Sequence, residues 1–93
     1  MLFTLEQYVE ETNSWNAIFG KPAINLSTIS EEECQQLADK MDSEMSPENL
    51  TCDGELSAGQ VRVRAQRIRG AWEGLVALCE ERGFAKPRTY DLA

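Results

Sequence analysis

Residues 58–83 read AGQVRVRAQRIRGAWEGLVALCEERG, and the fold follows from this stretch. Val61, Ala65, Ile68, Trp72, Leu75 and Cys79 step by 4, 3, 4, 3 and 4, which lines them along one seam over about 25 residues and roughly 37 Å of helix. Ser57 with Gln60 three residues on makes a capping box at the start. The hydroxyl and the amide there each satisfy an otherwise orphan backbone N–H. Gly83 suits the left-handed position that ends a helix, and Phe84 is placed to fold back as its apolar partner. A two-stranded coiled coil is disfavoured, because alternate seam positions are Ala65, Trp72 and Cys79 where Ile or Val is preferred, and the run is barely three heptads. The expectation is a long helix packed inside a bundle.

Two shorter helices precede it. Leu5, Tyr8, Val9, Thr12, Trp15, Ile18 and Phe19 recur at helical spacing, Thr4 and Gln7 form another capping box, and Gly20 and Pro22 stop the element near residue 19. The connector KPAINLSTI should return Ile24, Leu26 and Ile29 to the core. Ser30 and Glu33 form a third capping box, with Glu31 and Glu32 beside the positive helix end. Helix two is expected over 31–44, with Cys34, Leu37, Ala38, Met41 and Met45 as its core stripe. Ser46-Pro47-Glu48 reads as one helical turn and Asp53-Gly54 as a reversal. The fold expected is all-α, a small bundle of three main helices with a short helical turn before the long third one. Residues 1–93 form a single domain. Its tail, 85–93, is either docked through Tyr90 and Leu92 or disordered.

Composition removes several chemistries. The 93 residues hold no histidine, so there is no Ser-His-Asp or Cys-His relay and no imidazole metal helix. Cys34, Cys52 and Cys79 are an odd number at wide spacing, which argues against a disulfide framework and a zinc site; Cys34 and Cys79 read as small core hydrophobes. Asp53-Gly54-Glu55 with Glu48 lacks the ligand spacing of a cation loop. No catalytic, cofactor or metal residue is nominated, and a non-enzymatic protein is expected. The opening MLFTLEQYVEE has neither the basic start nor the apolar run of a signal peptide, and no apolar stretch could span a bilayer, so a cytoplasmic protein with no membrane partner is expected.

Charge is distributed unevenly. The net charge is −7, from sixteen acids and nine bases. Residues 1–55 hold twelve acids and two bases, whereas residues 56–93 hold four acids and seven bases. The acids of helix two, Glu31, Glu32, Glu33, Asp39, Asp42 and Glu44, are therefore the candidate protein-binding surface, open also to the reading of a nucleic-acid mimic. Arg62, Arg64, Arg67 and Arg69 are the candidate set for the alternative, a small nucleic-acid-binding regulator. At about 100° per residue they make no single stripe, and the overall negative charge opposes a polyanion. The plainer expectation has them flanking the seam and pairing with the helix-two acids. Val63, Gly70, Gly74 and Ala77 form a strip of small residues that invites another backbone, either an internal helix or a second chain. The chain is accordingly expected as a monomer or a homodimer whose partner is another protein.

The block MSPENLTCDGELS, Met45 to Ser57, with the charged helix that follows, resembles small uncharacterised accessory proteins of T4-like tailed bacteriophages. The resemblance covers well under half the chain and carries no active site with it. It implies a product made inside an infected bacterium, where small acidic proteins bind and redirect host proteins.

Overall fold

A computed structural model describes residues 3–46, 48–49 and 57–87. Three helices account for the architecture: α1 over Leu5–Ile18, α2 over Glu31–Glu44 and α3 over Ala58–Arg82, with no strand among the described residues. The all-α bundle is as expected. All three capping boxes form, at Thr4/Gln7, Ser30/Glu33 and Ser57/Gln60. Gly83 has φ +72 and closes α3, with the Phe84 N–H returning to the Cys79 carbonyl at 2.8 Å.

α3 is the central element, and α1 and α2 both pack on it. Because it serves two neighbours, its buried face is broader than one seam. Ile68, Ala71, Leu75 and Cys79 are the buried positions, while Ala65 and Trp72 are only partly covered. This corrects the expected seam: Ala71 enters the core fully buried, and Val61 and Trp72 lie at its margin. α2 contributes Cys34, Leu37, Ala38, Met41 and Met45, the expected stripe, and Ile29 folds under it. Fully burying a Leu or Met side chain supplies about 1.5–3 kcal/mol, so Leu75 and Met41 are principal anchors.

α1 departs from expectation at its far end. Leu5, Tyr8, Val9 and Thr12 are buried, but Trp15, Ile18 and Phe19 are 62%, 70% and 68% exposed. The helix starts against the middle of α3, where a Cβ on Gly70 would stand 2.3 Å from the Phe3 carbonyl oxygen and one on Gly74 would stand 2.8 Å from Leu5 Cβ. It then runs toward the beginning of α3, with Glu11 beside Arg67 and Trp15 sharing a cleft with Arg64. The apolar face of α1 thus outlasts the apolar face of α3.

The connector is fastened by side chains of α1 and α3. Asn13 Oδ1 accepts from the Ile24 N–H at 2.7 Å and Asn13 Nδ2 donates to the Ile24 carbonyl at 2.9 Å. Such a two-way amide clamp replaces a missing strand partner for a buried stretch of backbone. At the other end Arg82 Nη2 donates to the Leu26 carbonyl at 3.0 Å. Ile24 and Leu26 are held partly buried against the core. Of the short turn before α3, Glu48 and Asn49 are helical and the Asn49 N–H reaches the Ser46 carbonyl at 3.1 Å. Pro47, the Asp53-Gly54 reversal, Cys52, and Tyr90 and Leu92 of the tail lie outside the described residues.

Candidate functional site

The six acids nominated on α2 do not form one face. At about 100° per residue, Glu31 and Asp42 fall on one flank of the core stripe, Glu33 and Glu44 on the other, and only Glu32 and Asp39 project straight outward. Several have structural work. Glu31 Oε2 accepts from the Ala85 N–H at 3.3 Å, holding the segment after α3 against α2. Glu33 Oε1 accepts from the Ser30 N–H at 3.2 Å within the capping box. Glu44 Oε1 accepts from the Tyr8 hydroxyl at 3.0 Å and lies 3.5 Å from Lys40 Nζ. Lys40 in turn donates to Thr12 Oγ1 at 2.9 Å and sits 4.8 Å from the Tyr8 ring centroid. This small polar network bridges α1 and α2 across α3. Glu32 and Asp39 remain exposed.

The arginines are likewise divided. Arg67 Nη2 lies 2.7 Å from Glu11 Oε1, and its guanidinium covers the Phe3 ring at 4.4 Å from the centroid. Arg64 is half-buried in the clefts that Tyr8, Glu11 and Glu44 line. Arg62 and Arg69 are exposed on another side. The expected pairing of Arg67 with α2 acids is corrected: it faces α1, because the position lies on the α1 flank of α3. With both partners of the Arg67–Glu11 pair about half exposed, the ion pair contributes under about 1 kcal/mol.

Gly70 and Gly74 lie beneath the start of α1, and a contact with a second chain there would first require α1 to lift. Val63, at 54%, and Ala77 are the exposed members of that strip.

Cys34 and Cys79 are free, fully buried, and face each other between α2 and α3. Burial first, and then the adjacent Cys79 thiol, push Cys34 from an ordinary 9.0 up to about 11; burial raises Cys79 as well. Both are therefore thiols at neutral pH and weak nucleophiles. The Tyr8 phenol is raised too, by burial and by the Glu44 carboxylate that accepts its hydrogen bond. Among the described residues no group of three or more Cys, Asp or Glu side chains is placed to hold a metal ion, and no helix is long and apolar enough to cross a membrane.

The feature that sequence reasoning missed is the ridge at the end of α1. Trp15 and Phe19 stack with ring centroids 6.3 Å apart, and Ile18 stands beside them. The signal was present in the chain: the early turns of α3 that should have covered these residues read QVRVRAQR, where an arginine or glutamine occupies most positions.

No protein-family model, curated protein or solved structure matches the chain. The functional reading therefore stands on the residues and their geometry.

Proposed function

We propose that the chain is a non-enzymatic protein-interaction module whose acidic N-terminal half engages another protein. The observation that carries this reading is the exposed Trp15, Ile18 and Phe19 ridge on a helix whose only charged residues are Glu6, Glu10 and Glu11. Residues i, i+3 and i+4 on one helix are the spacing by which an amphipathic helix anchors in a partner's groove. Aromatic anchors dominate such contacts energetically. The acids flanking them suit a partner whose apolar groove has a basic rim, and Glu32 and Asp39 extend the negative field on α2. The resemblance of residues 45–57 to phage accessory proteins supports placing that partner among the proteins of an infected bacterial cell, and with it a cytoplasmic site of action.

The alternative, a nucleic-acid-binding regulator, draws on Arg62 and Arg69, two exposed cations of the third helix. Against it stand the engagement of Arg67 with Glu11 and the net charge of −7.

Affinity capture from bacterial lysate, with and without nuclease, tests the two readings together. A stoichiometric protein that survives nuclease and is lost with Trp15→Ala/Phe19→Ala supports the module. Capture that is indifferent to those substitutions, or recovery of nucleic acid alone that disappears with Arg62→Ala/Arg69→Ala, overturns it. Charge reversal at Glu32 and Asp39 should weaken capture of a basic partner; reversal at Glu31 or Glu33 also disturbs the fold and is the poorer probe.

A further inference from the structure

Two clefts lie side by side around the start of α1 and the connector at 23–27, the first of them along the outer flank of α3. One lies along α3 from Gly70 to Arg82 with a volume of about 650 Å³. The other, also about 650 Å³, opens over the middle turns of α1, and the two share Glu6, Leu26 and Ser27. Apolar atoms of Leu26, Ala77 and Leu78 line the first, and Glu6, Glu73 and Glu81 stand around it. The second adds Glu10 and no base. Among the described residues the only lining cation is Arg82, whose Nη2 already donates to the Leu26 and Ser27 carbonyls at 3.0 and 3.4 Å.

The arrangement along α3 is regular. Glu73, Ala77 and Glu81 are four residues apart and form one ridge; Gly70, Gly74 and Leu78 form the ridge beside it, its first part covered by α1. The furrow from Glu73 to Glu81 is about 12 Å long, just over two turns of a facing helix. A helix crossing at Ala77 reaches a carboxylate one turn away on either side. A neutral or acidic helix would strip water from Glu6, Glu73 and Glu81 and offer nothing in return, and nucleic acid is repelled outright.

We propose that this acidic furrow seats a basic amphipathic helix of a partner protein, its apolar side on Leu26, Ala77 and Leu78 and its Lys or Arg side chains at Glu6, Glu73 and Glu81. This rests on the protein-binding reading above but uses a different face from the Trp15 ridge, so either can fail alone.

The test is fluorescence anisotropy at physiological ionic strength with a labelled Leu/Lys amphipathic peptide of about 18 residues, ~27 Å of helix. Saturable one-to-one binding is expected. Glu73→Lys, Glu81→Lys and Ala77→Gln should each weaken it at least about tenfold, while Glu48→Lys, the same change of charge at an exposed position outside both clefts, should alter it by less than about twofold. A peptide of identical composition with no apolar face should bind at least about tenfold more weakly. Absence of binding, equal weakening by Glu48→Lys and the furrow charge reversals, or equally tight binding of the scrambled peptide overturns the proposal. Dimerisation of the chain that Ala77→Gln abolishes also overturns it, because the occupant is then a second copy. If peptide binding behaves as expected while Trp15→Ala/Phe19→Ala leaves lysate capture intact, the ridge reading falls and the furrow stands.

Discussion

At its start α1 lies so close to α3 that neither Gly70 nor Gly74 has room for a methyl group; three turns later the same helix carries Trp15, Ile18 and Phe19 largely in water. Both ends have the apolar spacing of a buried helix. The difference comes from what faces them: glycines and Ala71 at one end, Arg64 at the other. Periodicity identifies the face a helix would bury, and the neighbour decides how far along that face burial extends. An apolar face that outlasts its internal partner is available to an external one.

Truncating the two ends is the sharpest way to break this contrast. Leu5→Ala should cost about 3 kcal/mol by urea unfolding, since it empties a buried site. Trp15→Ala and Phe19→Ala should each stay within about 0.5 kcal/mol of the parent. Equal costs at both ends would mean that the ridge is buried in solution, and the protein-binding reading would lose its support. The next largest effect is expected at Gly70. Ala there gains about 1 kcal/mol of helix propensity but must push the Phe3 backbone aside, for a net loss of about 2 kcal/mol. Gly59, with nothing nearer its added Cβ than Ser57 Oγ at 3.9 Å, is the control, and Gly59→Ala should stabilise by about 0.5 kcal/mol.

An alkaline titration probes the α2 side of α3, away from the ridge. Cys34 binds its proton more tightly folded than unfolded, so its contribution falls as pH rises from 9 through about 11. Cys79 and Tyr8 act in the same direction. Stability monitored by circular dichroism should decline across that window, and Cys34→Ala should flatten the decline. An unchanged slope in the variant would show that the loss arises elsewhere. A smaller loss is expected at the α1–α2 bridge. Tyr8→Phe leaves the ring in place, removes the donor to Glu44, and should cost about 1 kcal/mol.

Helix content and boundaries were legible because their causes are local. Three Ser or Thr caps with their Gln or Glu partners, Gly20 and Gly83 as stops, and the α2 stripe from Cys34 to Met45 require only the geometry of a single helix. The candidate surfaces were less so. Six acids close in sequence looked like one face, yet Glu31 and Glu44 are each tied to a donor that arrives from a distant part of the chain, the Ala85 N–H and the Tyr8 hydroxyl. The arginines looked like a cluster, yet Arg67 meets Glu11, fifty-six positions away. Asn13, which no local pattern singles out, is the clamp on the connector.

The sequence by itself determined three capped helices, their stripes and the asymmetry of charge, since these depend on contacts within a few residues. Only the tertiary structure decided that Ala71 would join the core, that α1 would outrun its partner, and that Glu6, Glu73 and Glu81 would gather around one furrow. Those outcomes depend on where one helix crosses another. The crossing is set by the fit of surfaces distant in the chain, here the two glycines that let the backbone of α1 approach α3.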